Sequence, residues 1–112
     1  MIIQDTGFVC NLTVLSKGER ELLASVTDSL FASVQETREL ENGFAFRFNN
    51  QPDQLVQIAN FIERESRCCS FLHFNLDVEP SSGPLWLRIS GEAGTKTFLR
   101  AELAQLKKPE RS

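Results

Sequence analysis

Two adjacent cysteines follow a glutamate in the second half of the chain, within the segment Glu65-Ser66-Arg67-Cys68-Cys69. Thiolates bind zinc, copper(I) and heavier thiophilic metals, and a carboxylate can complete the coordination shell of such an ion. Thiols also react as nucleophiles or redox groups where their surroundings lower the pKa. These residue types therefore predict a thiol–carboxylate site, whose chemistry depends on how the chain positions the three side chains.

A helix is predicted to carry this segment at its C-terminal end. The run Asn49-Asn50-Gln51-Pro52-Asp53 is typical of a helix start, because polar caps are followed by an early proline and a first-turn acid. On this helix Glu65 falls within the apolar stripe, and Cys68 and Cys69 lie three and four residues beyond it, one turn above the carboxylate. A buried carboxylate is costly unless it is protonated, paired or bound to a metal.

In one interpretation, Glu65, Cys68 and Cys69 bind a thiophilic metal such as zinc or copper. Adjacent cysteines on a regular helix project about 100° apart, so both can bind one ion only where the helix unwinds. Cys10 becomes a third thiolate if the first strand lies beside the helix end. His73 is the other candidate ligand, but strand alternation places it on the face opposite the core.

In a second interpretation the same cluster is structural. Glu65 then pairs with an arginine of the first hairpin, Arg38 or Arg47, and the thiols act as small core residues. The protein is in that case a structural or protein-interaction module.

In a third interpretation one thiol is a nucleophile or redox sensor and Glu65 moves the proton. The helix C-terminus and the neighbouring carboxylate oppose this role, because both raise a thiol pKa. A disulfide between Cys68 and Cys69 forms a strained ring, whereas a bridge from either one to Cys10 is sterically easier if the segments meet. These effects favour a binding protein over an enzyme, and we assign no catalytic residue.

Helices and hairpins alternate around this segment. A strand over Phe8–Leu12 precedes a helix that starts at the capping box of Ser16 and Glu19. In the hairpin that follows, the three-residue loop Glu41-Asn42-Gly43 places glycine where a positive φ is needed. A second helix–hairpin unit and a last helix complete the order β-α-β-β-α-β-β-α, which predicts an α+β fold with helices on one face of an antiparallel sheet.

The bulk composition narrows the class of protein. The 112 residues fit one domain, residues 1–112, with a frayed tail over 107–112. The net charge of −3 argues against nucleic-acid binding, which needs a positive field. No stretch approaches the ~18 apolar residues of a membrane span, and the N-terminus lacks the pattern of a signal peptide. We therefore predict a cytoplasmic protein, in which the three cysteines stay as thiols.

The sheet face away from the helices is predicted to carry Phe71, His73 and Trp86. An apolar surface of this size is typical of an interface. It predicts a homodimer, or a protein partner that binds through the Phe71/Trp86 face.

The segment Glu65-x-x-Cys68-Cys69-Ser70-Phe71-x-x-Phe74, followed by Val78-Glu79-Pro80 and Gly83-Pro84-Leu85-Trp86-Leu87, resembles a group of small uncharacterised bacterial proteins. They bear a Glu-x-x-Cys-Cys-Pro-Phe segment, which is also found near metal-responsive regulators. The resemblance runs from about Cys10 to the last helix. It implies a shared fold and slightly favours the metal interpretation. Ser70 stands in place of the motif's proline. Because serine does not force a helix to end as proline does, the end of this helix is predicted to be less sharply fixed.

Overall fold

The computed structural model describes residues 10–107, in which three helices cover one face of a four-stranded antiparallel sheet. The helices are α1 (Lys17–Ala32), α2 (Pro52–Cys68) and α3 (Thr95–Lys107). The strands are β1 (Glu36–Leu40), β2 (Gly43–Phe48), β3 (His73–Val78) and β4 (Leu85–Ser90), and they lie in the order β1-β2-β4-β3. The predicted α+β class and the order of the elements from α1 onward are confirmed. Within residues 10–107 no helix combines the length and the apolar character needed to cross a membrane.

Local signals in the sequence set where the first two helices begin. The Ser16 hydroxyl accepts a hydrogen bond from the Glu19 amide, and the Glu19 carboxylate accepts one from the Ser16 amide. This reciprocal capping satisfies two amides that a helix start leaves unpaired. The second helix begins at Pro52, whose fixed φ suits a first helical position, with Asp53 in the first turn.

The core lies between the helices and the sheet face that they cover. Alternate residues of the two central strands form the inner layer and are all buried: Phe44, Phe46, Phe48, Leu85, Leu87 and Ile89. Aromatic edges join the layers, since Phe31 of α1 meets Phe46 with 5.0 Å between ring centroids and Phe61 of α2 meets Phe74 with 6.0 Å. Helix α3 contacts β2 on this same face. The placement of α2 between α1 and β3 determines where its C-terminal end lies.

The segment predicted as a first strand, Phe8–Leu12, follows a different course where the structure describes it. Its first two residues lie outside the described residues. Leu12 opens a short 3₁₀ turn, because the Asn11 side chain accepts a hydrogen bond from the Thr13 amide at 3.1 Å and so caps the turn. The predicted frayed tail also lies, beyond Lys107, outside the described residues.

The first hairpin turns over two residues rather than the predicted three, since β1 ends at Leu40 and β2 begins at Gly43. The backbone of Gly43 does not adopt a positive φ. Glycine is needed there for a different reason, the close approach of β4. A Cβ at this position would overlap the Ile89 carbonyl oxygen and lie 2.7 Å from the Ser90 Cα.

Replacement of this glycine is expected to destabilise the sheet. Gly43→Ala should lower the free energy of unfolding by about 1–3 kcal/mol, because the β4 backbone must move to admit the methyl group. The matched control is Gly18→Ala on α1, where a Cβ meets nothing within 4 Å and alanine favours the helix by up to about 1 kcal/mol. Urea denaturation measures both variants. Equal midpoints for Gly43→Ala and the unmodified protein would contradict the close approach.

Candidate thiol–carboxylate site

The end of α2 brings the two adjacent cysteines together. The last helical residue is Cys68, and Cys69 caps the helix with φ −117° and ψ 69°, which is not a helical conformation. This change of direction leaves the two Sγ atoms 3.8 Å apart. The helix therefore unwinds at Cys69, as is required for both thiols to bind one ion. It does so although Ser70, and not a proline, follows Cys69.

Glu65 lies one turn before the cysteines and points to the same place. Its Oε2 lies 3.5 Å from the Sγ of Cys69. One carboxylate oxygen and the Sγ atoms of Cys68 and Cys69 all lie within 4.8 Å of one another. Both cysteines are buried and Glu65 is partly buried. Three of the four predicted ligands thus converge on a volume that one ion can occupy.

Cys10 joins the cluster through a disulfide with Cys69. The Asn11 amide donates a hydrogen bond to the Cys68 carbonyl at 2.7 Å, which holds the N-terminal segment against the end of α2. The Cα atoms of the bridged cysteines are 4.3 Å apart as a result, while Cys68 stays a free, buried thiol. The expectation that all three cysteines are thiols is therefore wrong for this structure. The feasibility of a bridge to Cys10 is confirmed.

No arginine among residues 10–107 pairs with Glu65. Arg38 pairs with Glu36 at 2.7 Å on the sheet face away from the helices. Arg47 lies opposite Trp86 in the register of β2 and β4, and so on that same outer face. The predicted pairing of Glu65 with an arginine of the first hairpin is wrong, because alternation along β1 and β2 directs both arginines away from the core.

Burial strongly alters the acidity of the Glu65 carboxyl group. Burial, and to a smaller extent the negative charge of Glu102 on α3, raises the pKa of Glu65 to about 7. Near neutral pH this group therefore exchanges readily between its protonated and charged forms. Such a group can bind a cation on losing its proton, or exchange a proton with a neighbouring sulfur.

Cys68 is a poor thiolate in this setting. Burial, and then the charge of Glu65, raises the pKa of the thiol to about 11. Arg67 opposes this effect only weakly, since it is exposed to solvent and pairs with Glu19 and Glu63. The raised thiol pKa expected from the neighbouring carboxylate is confirmed, so Cys68 stays protonated at neutral pH unless a cation binds beside it.

Alkylation rates should report this raised pKa. At pH 7.5 Cys68 is expected to react with iodoacetamide about a hundredfold more slowly in the folded protein than in urea. A thiol with a pKa of about 11 is ionised that much less than one with the ordinary value of 9.0. Mass spectrometry of timed reactions, with the disulfide left intact, gives both rates. Equal rates in the folded and unfolded protein would contradict the assignment.

Glu65 also lines a cavity of about 300 Å³ between the helices and the sheet. Apolar side chains from all three helices and the sheet form most of its wall, among them Leu23, Phe31, Phe61, Leu72, Ile89 and Leu99. Helix α1 adds polar side chains to this wall through Arg20, Thr27 and Asp28, and α3 does so through Glu102 and Gln105. The sequence could have indicated that Glu102 belongs to this wall. Glu102 follows Phe98 by four residues and Leu99 by three, so it lies within the apolar stripe of α3 as Glu65 does within that of α2.

The predicted Phe71/Trp86 surface is not assembled. Phe71 packs edge-on against Phe98 of α3, with 5.1 Å between ring centroids, on the helical side of the sheet. Strand alternation begins only at His73, which is exposed, and does not extend back to Phe71. Trp86 lies on the other face and is only 6% exposed, with the Arg38 guanidinium 4.5 Å from its ring centroid. A homodimer stays a prediction, without the surface on which it was based.

Comparisons with protein-family models, with curated proteins and with solved structures gave no match to this chain. The resemblance of the segment from Glu65 to Phe74 to small bacterial proteins therefore stays a prediction. The function is inferred from the site itself, which combines one carboxyl group, three sulfur atoms and an apolar cavity.

Proposed function

We propose that the reduced protein binds a thiophilic metal ion through Cys68, Cys69 and Glu65, with Cys10 as a further thiolate. The spacing of the ligand atoms carries this proposal. In tetrahedral coordination with metal–sulfur bonds of about 2.3 Å, two sulfur atoms lie about 3.8 Å apart. The Sγ atoms of Cys68 and Cys69 have this separation, 3.8 Å.

The carboxylate fits the same geometry. With a metal–oxygen bond of about 2.0 Å, a sulfur and an oxygen ligand lie about 3.5 Å apart. The distance from Glu65 Oε2 to Cys69 Sγ is 3.5 Å. These distances are those of the disulfide-bonded protein, so binding of one ion by all three residues also requires reduction of the bridge.

A bound cation is expected to change the protonation states at the site. Burial favours the neutral forms of Glu65 and Cys68. A bound cation reverses this preference, because metal coordination releases protons from thiols and carboxyl groups. Sulfur-rich ligands favour a soft ion such as zinc or copper(I) over magnesium or calcium.

Because of the disulfide, the oxidation state of the cysteines determines whether the protein can bind the metal. Cys69 can bind a metal as a thiolate only after the bond to Cys10 is reduced. A dithiol supplies the two electrons and two protons and becomes a disulfide itself, while Cys10 and Cys69 become thiols. The oxidised protein is then the form that does not bind the metal, and the reduced protein is the form that does.

Metal titration of protein purified without a histidine tag tests the proposal. The reduced, desalted protein is expected to bind one zinc ion per chain, whereas the oxidised protein is expected to bind none at the same concentration. Cys68→Ser and Glu65→Gln should weaken binding at least tenfold. Glu63→Gln is the matched control, since Glu63 is exposed on the same helix, and should bind normally. A reduced protein that takes up neither zinc nor copper(I) would overturn the proposal.

Thiol–disulfide exchange is a second candidate, favoured by the free Cys68 sulfur 3.8 Å from the disulfide. In this role the Cys68 sulfur bonds to Cys69 Sγ, the bond between Cys69 and Cys10 breaks, and Cys10 leaves as a thiolate while Glu65 takes the Cys68 proton. The rate at which dithiothreitol reduces the disulfide separates the candidates. An exchange role predicts slower reduction in Cys68→Ala, whereas metal binding predicts an unchanged rate.

A further inference from the structure

An apolar cavity lies beside Glu65, and the binding of a bare metal ion does not require such a cavity. Coordination of an ion requires only the ligand atoms and their supports. Here an apolar space of about 300 Å³ adjoins the ligand cluster, and Glu65 belongs to both. Much of its wall is buried, including Leu23, Phe61 and Leu99. A space of this kind suits an organic group rather than a hydrated ion.

The side chains of the cavity wall indicate which class of ligand suits it. The acidic residues Asp28, Glu65 and Glu102 line the cavity. Arg20 also lines the cavity, and its guanidinium donates a hydrogen bond to the Leu15 carbonyl at 2.8 Å. Glu65 is the residue that the cavity wall shares with the ligand cluster. Acidic side chains outnumber basic ones in the described wall, which suits a positive centre, and its many apolar side chains suit an apolar body.

We propose that the ligand is a monosubstituted organometal cation, whose thiophilic metal binds the sulfur atoms and whose apolar substituent occupies the cavity. This inference rests on the proposed function and names its ligand class. The thiols match the metal, Glu65 and Glu102 match the positive charge, and the cavity matches the substituent. An apolar cavity of about 150 Å³ is large enough for benzene, so a phenyl group fits the larger space here.

The binding step is a ligand exchange without a change of oxidation state. A metal–sulfur bond forms to Cys68 while the bond from the metal to its counter-anion breaks. The anion leaves to solvent, and the thiol proton passes to the buffer. The Cys69 sulfur lies 3.8 Å from the Cys68 sulfur in the disulfide-bonded structure, and once the bridge to Cys10 is reduced it provides a second donor.

Phenylmercuric acetate and zinc, each titrated in competition with glutathione, test the inference on the reduced, desalted protein. The discriminating variant is Ala24→Trp, because Ala24 is exposed on α1 and lines the cavity, so an indole can enter that space. Phenylmercury binding should weaken at least tenfold while zinc binding stays unchanged. Ala59→Trp, on the exposed side of α2 and outside the cavity wall, should change neither.

A second measurement uses the unmodified protein and does not depend on how a variant folds. Phenyl protons of the bound compound should give nuclear Overhauser contacts to the methyl groups of Leu23 and Leu99. If zinc binds but these contacts are missing, or if Ala24→Trp binds phenylmercury normally, the organometal inference fails and the metal site stands. If the reduced protein retains neither zinc nor phenylmercury in competition with glutathione, both proposals fail.

Discussion

Reduction of the Cys10–Cys69 disulfide is expected to lower the free energy of unfolding by about 4 kcal/mol, a large part of the roughly 5–15 kcal/mol typical of a domain. The bridged cysteines are 59 residues apart. Closing a loop of that length removes about 14 cal/mol/K of entropy from the unfolded chain, which gives this energy at 25 °C. The bridge also ties the segment before α1 to the end of α2, where one backbone hydrogen bond joins Asn11 to Cys68.

Zinc should return a large part of this stability to the reduced protein, because an ion held by Cys10 and the end of α2 replaces the bridge. At a free zinc concentration about a hundredfold above Kd, the expected gain is about 2.7 kcal/mol. Urea denaturation of the oxidised, the reduced and the zinc-loaded reduced protein measures all three states. Cys10→Ser is the control and should not respond to reductant. Identical midpoints for the oxidised and reduced protein would show that the bridge does not constrain the unfolded chain.

Local signals in the sequence predicted most of the secondary structure. The capping box of Ser16 and Glu19, the early Pro52 and the alternation in β2 and β4 each act over a few residues, and the structure contains each of them. The α+β class follows from the order of these elements. These elements can be predicted from the sequence because the interactions that stabilise them occur within one helical turn or between two paired strands.

The errors in the predicted fold have nonlocal causes or come from side chains that compete with the backbone. Asn11 redirects the chain into a turn through its own side chain. Gly43 is required by the backbone of β4, more than forty residues later in the chain. Phe71 precedes the first strand residue of β3, so alternation could not place it against Phe98. Each error depends on a contact or a boundary that periodicity does not reveal.

The candidate site was only partly predictable for the same reason. Glu65 is conspicuous in the sequence because a carboxylate interrupts an apolar helical stripe, and the structure places it against the Sγ of Cys69. Its predicted arginine partner was wrong, because the outward direction of Arg38 depends on how β1 joins the sheet. The cavity is made by residues from three helices and the sheet, and no single segment contains its pattern.

Glu65→Gln is expected to stabilise the metal-free protein at pH 8 and to remove a dependence of stability on pH. The pKa of Glu65 is about 7 in the folded protein and has the ordinary value of 4.5 when the chain unfolds. Between these values the folded state binds more protons than the unfolded state, so stability falls as the pH rises from about 4.5 to 7 and is level above that range. The upper limit of this loss is about 3 kcal/mol, and the partial exposure of Glu65 reduces it.

Urea denaturation of the unmodified protein and of Glu65→Gln at pH 5, 6, 7 and 8 gives the difference between their free energies of unfolding at each pH. Glu102, whose pKa burial also raises, contributes in the same direction in both proteins, and its repulsion of the Glu65 charge forms part of the measured difference. Glu63→Gln, an exposed position on the same helix, controls for the loss of one negative charge. A difference between the unmodified protein and Glu65→Gln that does not change from pH 5 to pH 8 would contradict the raised pKa.

The sign of this effect bears on the role of Glu65. A carboxylate that lowers stability at neutral pH, where glutamine has nearly the same shape, does not serve the fold. If it serves a metal, zinc should reverse the comparison in the reduced protein. The bound ion favours the charged carboxylate, so the unmodified protein should then be more stable than Glu65→Gln at pH 8. If Glu65→Gln is still more stable than the unmodified protein when zinc is bound, Glu65 is not a ligand of the metal.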